Sequence, residues 1–327
     1  MTNKPKVLAI VGSTASGKTA LSIALAQALD GEIISCDSMQ LYRRMDIGTA
    51  KPTSDEMQGI PHHLIDIADP TDGKEATYSC ADYVKDAKSA IRDVLSRSKL
   101  PIVCGGTGLY LDALIRGGNF EETVVDESLR KSLADFAREN GNEALHDRLR
   151  KSDPESADAI HPNNVKRVIR ALEIFMTTGI TKSELDRKSR EYESEFDFTV
   201  IGIRYNDRAV LYDRIGRRVD QMMSDGLIEE AKSLRALGVF ELCPTAAQAI
   251  GYKELFPYLD GEATLDEVTE ELKAATRRYA KRQVTWFSAR PYVHWIDADD
   301  GQNLIDFEDI VNNAKKVFQE RKKCDII

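Results

Sequence analysis

The chain has 327 residues, of which 42% are apolar, and 45 Lys and Arg against 54 Asp and Glu give it a formal net charge of −9. That length exceeds the usual size of one hydrophobic core, so two domains, or one domain with an insertion, are expected. The acidic total excludes a uniformly basic nucleic-acid coat, and any contact with nucleic acid must come from locally clustered Lys and Arg.

Residues 5–116 alternate between strand-like and helix-like segments. Strands are expected at 6–11, 32–36, 63–67 and 101–104, and helices at 17–29, 80–97 and 107–115. Such alternation predicts an α/β fold with a parallel sheet core, helices on both faces, and ligands gathered beyond the carboxyl ends of the strands. Between the first strand and the first helix lies Gly12-Ser13-Thr14-Ala15-Ser16-Gly17-Lys18-Thr19, which fits G-x-x-x-x-G-K-S/T. With these flanks it reads as a phosphate-binding P-loop, not as a glycine-rich turn with a chance lysine. Gly12 and Gly17 let the backbone curl so that N–H groups converge on phosphate oxygens, and the helix start adds the positive end of its dipole. Lys18 supplies a full charge, and Thr19 is placed to offer its hydroxyl to Mg2+. A P-loop tells what is held, not what is done with it, because kinases, NTPases and transferases with a pyrophosphate leaving group all use one.

Gly12, Asp37 and Gly105 each fall just past a predicted strand end, so three motifs converge on one edge of the sheet. Asp37 is a candidate proton acceptor there, with a helix N-cap or an outer magnesium partner as its alternatives. From 117 to 196 the sequence turns helix-rich, charged and free of strand patterns, ending in a polar run at 182–195, and reads as an inserted helical domain. Strand character returns at 198–204. Helices are then expected at 208–237, near 245–256 and at 264–288, with a last strand at 293–297 and a terminal surface helix within 302–327. The core domain is thus 1–116 with 197–327, around an insertion at 117–196. Arg214 and Arg218, one helical turn apart, are placed to reach a phosphate from the side opposite Lys18. Two basic clusters stand out, Lys166-Arg167 with Arg170, and Arg277-Arg278 with Lys281-Arg282. Each shares helix faces at i to i+4 and reads as a phosphate-backbone stripe or, in the plainer alternative, as a solvated surface. The five cysteines, Cys36, Cys80, Cys104, Cys243 and Cys324, are scattered without a C-x-x-C, which argues for a reducing compartment and against a structural zinc site. No signal peptide or membrane span is visible, and a cytoplasmic monomer is expected.

The segments Ser35-Cys36-Asp37-Ser38-Met39-Gln40-Leu41-Tyr42 and Met45-Asp46-Ile47-Gly48-Thr49-Ala50-Lys51-Pro52 carry a more specific signal. Together with the P-loop, with Pro61-His62-His63, Gly105-Gly106-Thr107-Gly108, His161-Pro162-Asn163-Asn164, Gly251-Tyr252-Lys253-Glu254 and Lys281-Arg282-Gln283-Val284-Thr285-Trp286-Phe287, the chain strongly resembles the tRNA dimethylallyltransferases, or tRNA isopentenyltransferases. The resemblance covers roughly residues 5–297. It implies a P-loop NTPase-like core with a mobile helical insertion that closes over tRNA. It also implies transfer of a dimethylallyl group from dimethylallyl diphosphate to an adenosine N6 beside the anticodon. Asp37 is then the general base, with Lys18, Thr19 and Thr107 in the catalytic set. Residues 12–19, Arg214 and Arg218 hold the diphosphate with Mg2+ on Thr19. Asp37, Ser38, Met39, Gln40 and Thr107 meet the target nucleotide, Thr107 being equally placed to cap the helix that follows. Arg130, Lys166, Arg167, Arg170, Arg278, Lys281 and Arg282 are the further tRNA contacts. Trp286, Phe287, His62, His63 and His161 read as structural. The eukaryotic branch's C-terminal zinc-finger extension is absent from the sequence, which points to a bacterial type. An adenylate isopentenyltransferase and a P-loop small-molecule kinase are the rivals. Neither accounts for both the helical insertion and the late basic helix.

Overall fold

Branched apolar residues without alternation favour a strand buried on both faces, and β1 (Lys6–Gly12) is buried from Val7 onward. In the computed structural model, which describes residues 4–117, 126–191 and 193–320, it is followed by α1 (Lys18–Leu29), β2 (Gly31–Ser35), α2 (Ser54–Met57) and β3 (His62–His63). Then come α3 (Cys80–Ser96), β4 (Leu100–Gly105) and α4 (Gly108–Ile115). The helices α5 (Glu127–Asn140), α6 (Asn142–Ser152), α7 (Pro154–Ala159), α8 (Val165–Thr178) and α9 (Lys182–Glu191) precede β5 (Asp197–Arg204). After it run α10 (Arg208–Ser224), α11 (Leu227–Ala236), α12 (Val239–Leu242), α13 (Phe256–Leu259), α14 (Leu265–Ser288), β6 (Val293–Asp297) and α15 (Phe307–Glu320).

The six strands form one parallel sheet in the order β3-β2-β4-β1-β5-β6. Parallel neighbours require crossovers, and the helices that make them cover the faces of the sheet. Because β1 sits between β4 and β5, with β2 beyond β4, the turns after β1, β2 and β4 emerge side by side at the carboxyl edge. The chain divides into two compact units, Met1–Leu114 with Glu195–Ile327, and Ile115–Ser194. In the first, Leu8, Ile10, Leu21, Leu25, Ile33 and Ile102 form the core under α1, and Ile310 and Val311 of α15 join it. In the second, Leu133, Leu145, Leu149, Val168 and Leu172 close a separate helical core.

Three elements depart from the sequence expectation. The strand expected at 63–67 is only His62–His63, because Leu64 and Asp66 adopt left-handed backbone angles (φ 61 and 56) that end an extended run. The single helix expected at 208–237 breaks at Gly226 (φ 101) into α10 and α11. The short helix near 245–256 is two 3-10 turns, Ala246–Gln248 and Lys253–Leu255, leading into α13. The terminal helix ends at Glu320 within the described residues, and Cys324 lies outside them. No helix among the described residues is long and apolar enough to cross a membrane. The described cysteines are free thiols.

Candidate active site

β1 delivers Gly12 to the edge of the sheet, and the chain turns at once, with the Ser16 N–H donating to the Ser13 carbonyl at 3.2 Å. A side chain at Gly12 would lie 2.6 Å from Ser16 Oγ, so only glycine fits. Gly17 (φ 92) then hands the chain to α1. Ser16 Oγ is buried and has no hydrogen-bond partner in the fold. Lys18, the first residue of α1, folds back to donate from Nζ to the Ser13 carbonyl at 3.3 Å. From α10, Arg214 Nε donates to the Ala15 carbonyl at 2.9 Å, and the Arg218 guanidinium donates to the Ala50 carbonyl at 3.3 Å. The i to i+4 spacing therefore does bring both arginines to the P-loop side of the sheet. They line a cleft of about 810 Å3 together with Lys18, Thr19 and Lys51.

Cations outnumber carboxylates in this cleft, with Lys18, Lys51, Arg214, Arg217 and Arg218 against Asp46, Glu56 and Asp225. Burial, and then the neighbouring Arg218, pulls the Lys18 ammonium below the usual lysine value, while Cys104 and Asp37 pull it back. Arg218 is likewise lowered by burial, against the pull of Glu56 and Asp37. Cations held this way gain from a polyanion that enters between them.

Past β2, Asp37 organises the turn that carries Ser38 to Tyr42. Its Oδ1 accepts from the Met39 N–H at 2.9 Å and the Gln40 N–H at 3.4 Å. Both bonds go to one oxygen and close a turn, not a helix N-cap, since the next helix begins only at Ser54, and they leave Oδ2 unused. Thr107, just past β4, faces the same turn. Its Oγ1 accepts from the Ser38 N–H at 3.1 Å and donates to Ser38 Oγ at 3.4 Å, while its own N–H donates to the Cys36 carbonyl at 3.2 Å. The hydroxyl thus serves the Ser38 segment, and α4 opens at Gly108 behind it. The glycines here are a packing demand. A Cβ at Gly105 would lie 2.1 Å from the Cys36 carbonyl oxygen, and one at Gly108 would lie 2.2 Å from the Trp286 ring.

Gln40 points its amide at the Thr49 and Ala50 carbonyls, at 3.3 and 3.1 Å, and so braces the Met45–Pro52 segment. That segment depends on a residue sequence reasoning passed over. Glu230 of α11 accepts from the N–H groups of Asp46, Ile47 and Gly48 at 2.9–3.0 Å, and Tyr252 donates to it at 2.8 Å. Tyr252 also explains Gly48, where a Cβ would lie 2.5 Å from its ring. Gly251-Tyr252 was legible as a motif, but its partner, 182 to 184 residues from the Asp46–Gly48 amides, was not. Asp112, buried on α4, is a second such residue. It accepts from Arg290 Nε at 2.8 Å and from the Tyr292 hydroxyl.

The basic candidates fall into two groups. On α14, Arg278, Lys281 and Arg282 are exposed, and Arg278 pairs with Glu271 at 2.6 Å across open solvent. Arg277 on the same helix is half-buried. In the second unit Lys166 and Arg167 are exposed, whereas Arg130 and Arg170 both bind Glu173, at 2.8 and 2.5 Å. Glu173 is fully buried, so these two arginines have a structural task that spacing alone did not announce. Phe287 is core, and His63 pairs with Glu32 at 2.8 Å, as the structural readings expect.

A parallel sheet with a P-loop after its central strand and a carboxylate-bearing turn beside it defines a P-loop α/β enzyme. The family model described as IPP transferase matches residues 40–290, and the chain belongs to that family. A tRNA dimethylallyltransferase of Halalkalibacterium halodurans is 50% identical over 305 residues, 93% of this chain and 94% of the relative. One from Geobacillus thermodenitrificans is 50% identical over 299 residues, 91% and 92% of the two chains. Among solved structures, the tRNA isopentenylpyrophosphate transferase of Bacillus halodurans superposes with a TM-score of 0.69 at 48% identity, covering 97% of this chain and 98% of that one. A eukaryotic dimethylallyltransferase acting on tRNA superposes with a TM-score of 0.74 at 33% identity, over 90% and 74% of the chains.

Proposed function

We propose that this protein transfers a dimethylallyl group from dimethylallyl diphosphate to the N6 amine of an adenosine beside the tRNA anticodon, releasing diphosphate. The observation that carries this reading is the juxtaposition of the P-loop and its facing arginines with the Asp37 turn. The adenine amine is a weak nucleophile because its lone pair is delocalised into the ring, so transfer needs both a proton acceptor and an activated carbon. Asp37, held through Oδ1, keeps Oδ2 to take that proton. Lys18, Arg214 and Arg218 hold the diphosphate and favour the charge that builds on it as the allylic C–O bond breaks. The P-loop residues fit Mg2+ as well, since Thr19 lines the cleft and Ser16 Oγ is buried without a partner. Thr19 would hold the ion, which would offset the charge of the diphosphate. Ser38, Met39, Gln40 and Thr107 frame the base, which must leave its stack to reach Asp37. The inserted helical unit, through Lys166 and Arg167, and α14, through Arg278, Lys281 and Arg282, supply contacts to the tRNA backbone.

Incubation with labelled dimethylallyl diphosphate and unmodified tRNA, followed by nucleoside analysis, tests the reading. Label in an isopentenylated adenosine is the expected result. Turnover of ATP with no label in RNA would replace it with a kinase.

The α14 stripe is tested by salt. Arg278→Ala with Arg282→Ala is expected to weaken tRNA binding and to reduce the slope of log affinity against log salt by about one to two units, because fewer counterions are released. The Arg278–Glu271 pair is no obstacle, since an exposed pair contributes only ~0–1 kcal/mol. A double variant with the parent's slope would assign the stripe to ordinary surface.

A further inference from the structure

Helix α14 carries, beside its exposed basic stripe, a side chain that points the other way. Gln283 is 5% exposed and reaches into the gap between the turns that follow β1 and β4. Its Oε1 accepts from the Thr14 N–H at 2.8 Å, and its Nε2 donates to the Gly106 carbonyl at 3.1 Å. One end of the amide therefore holds the P-loop and the other holds the turn that presents Thr107. The fit is close. A Cβ on Gly106 would lie 2.1 Å from Gln283 Nε2 and 3.6 Å from the Gly12 carbonyl oxygen, so a side chain at position 106 would collide with the Gln283 amide.

The chemistry of the two groups fixes the side chain. A backbone N–H needs an acceptor and a backbone carbonyl needs a donor; the Gly106 carbonyl is buried and the Thr14 N–H half-buried, and leaving a buried one unpaired costs about 1–3 kcal/mol. An amide of this length supplies one of each. A carboxylate satisfies Thr14 but sets an oxygen against the Gly106 carbonyl, and an aliphatic side chain satisfies neither.

We infer that Gln283 is a positioning residue for prenyl transfer, locking the diphosphate-holding loop to the Thr107 turn so that donor and acceptor stay in register. This rests on the functional reading above. Thr107 in turn holds Ser38, next to Asp37, so the chain of contacts runs from Thr14 through Gln283 and Gly106 to the turn that bears the proton acceptor. A displacement of about 1 Å between reacting groups costs on the order of 10²-fold in rate, whereas binding of either substrate alone does not need the two loops in register.

The test measures single-turnover transfer at saturating donor and tRNA, together with tRNA affinity and melting temperature, for the parent, Gln283→Leu and Gln283→Glu. Gln283→Leu is expected to lose about 10–100-fold in rate with tRNA affinity within about twofold of the parent. Gln283→Glu adds a readout that mere loss of packing does not move. When its buried carboxyl is protonated, it regains an O–H for the Gly106 carbonyl while still accepting from Thr14. The ratio of its rate to the parent's is therefore expected to rise as pH falls from about 8 to about 5, and titration of Asp37 cancels in that ratio. A Gln283→Leu rate equal to the parent's overturns the inference. So does a ratio for Gln283→Glu that stays flat with pH, which also covers the case of a Leu variant that fails to fold. A parent that transfers no label overturns the functional reading and this inference with it.

Discussion

Asp37→Asn is expected to lower the single-turnover rate of prenyl transfer by about 10²–10⁴-fold, the contribution of a positioned general base, while tRNA affinity stays close to the parent's. The substitution separates the two tasks of this side chain. Asparagine keeps an Oδ1 that accepts from the Met39 and Gln40 N–H groups, so the turn built on those bonds persists. What it removes is the basic oxygen, and with it the destination of the amine proton. Rapid-quench measurement at saturating donor and tRNA reads the chemical step directly. A rate near the parent's would leave Asp37 as a turn-former only and would move the search for the base elsewhere.

Glu173→Gln carries the largest expected effect on stability, confined to the helical unit. Burial alone pushes the Glu173 carboxyl up, but hydrogen bonds from Arg130 and Arg170 and from the Asp126 N–H outweigh it and hold it below its ordinary value of 4.5. The sign follows from that. A carboxyl whose folded-state value is depressed contributes stability that is fully present above the unfolded value and is lost as pH falls through the folded one. At pH 7 the substitution is expected to cost about 3 kcal/mol, the low end for breaking a buried pair, because both guanidiniums keep partial access to water. Calorimetric unfolding at neutral pH and below pH 4.5 checks it, with the gap between parent and variant closing on the acid side. A gap that is small at pH 7, or that does not close, would show that this carboxylate does not carry the stability of the helical unit.

How far the sequence reached can be seen element by element. Val7 to Val11, the G-x-x-x-x-G-K-T run and the α1 pattern were legible because strand, loop and helix there are specified by residues next to one another. Their period and their glycines act locally. The same holds for Asp37 and Gly105 at strand ends, whose convergence follows from the rule that a parallel sheet gathers its ligands at one edge. The family pattern added Thr107, Met45–Pro52 and the basic helices. Sequence reading failed where local backbone choices overrode propensity, as at Leu64 and Asp66, where left-handed angles cut short β3.

Tertiary structure alone decided which partner each motif has. Glu230 holding Asp46, Ile47 and Gly48, Gln283 joining Thr14 to Gly106, and Glu173 claiming Arg130 and Arg170 all link positions 43 to 269 residues apart or pair charges whose burial no local window reveals. A hydrogen bond depends on where two atoms lie in space, and between distant segments that is set by the packing of the whole sheet and its helices. Composition, periodicity and motif thus determined the class of protein and the chemistry it presents. The packing determined which of its charged and polar groups remain at the site and which hold the fold in place.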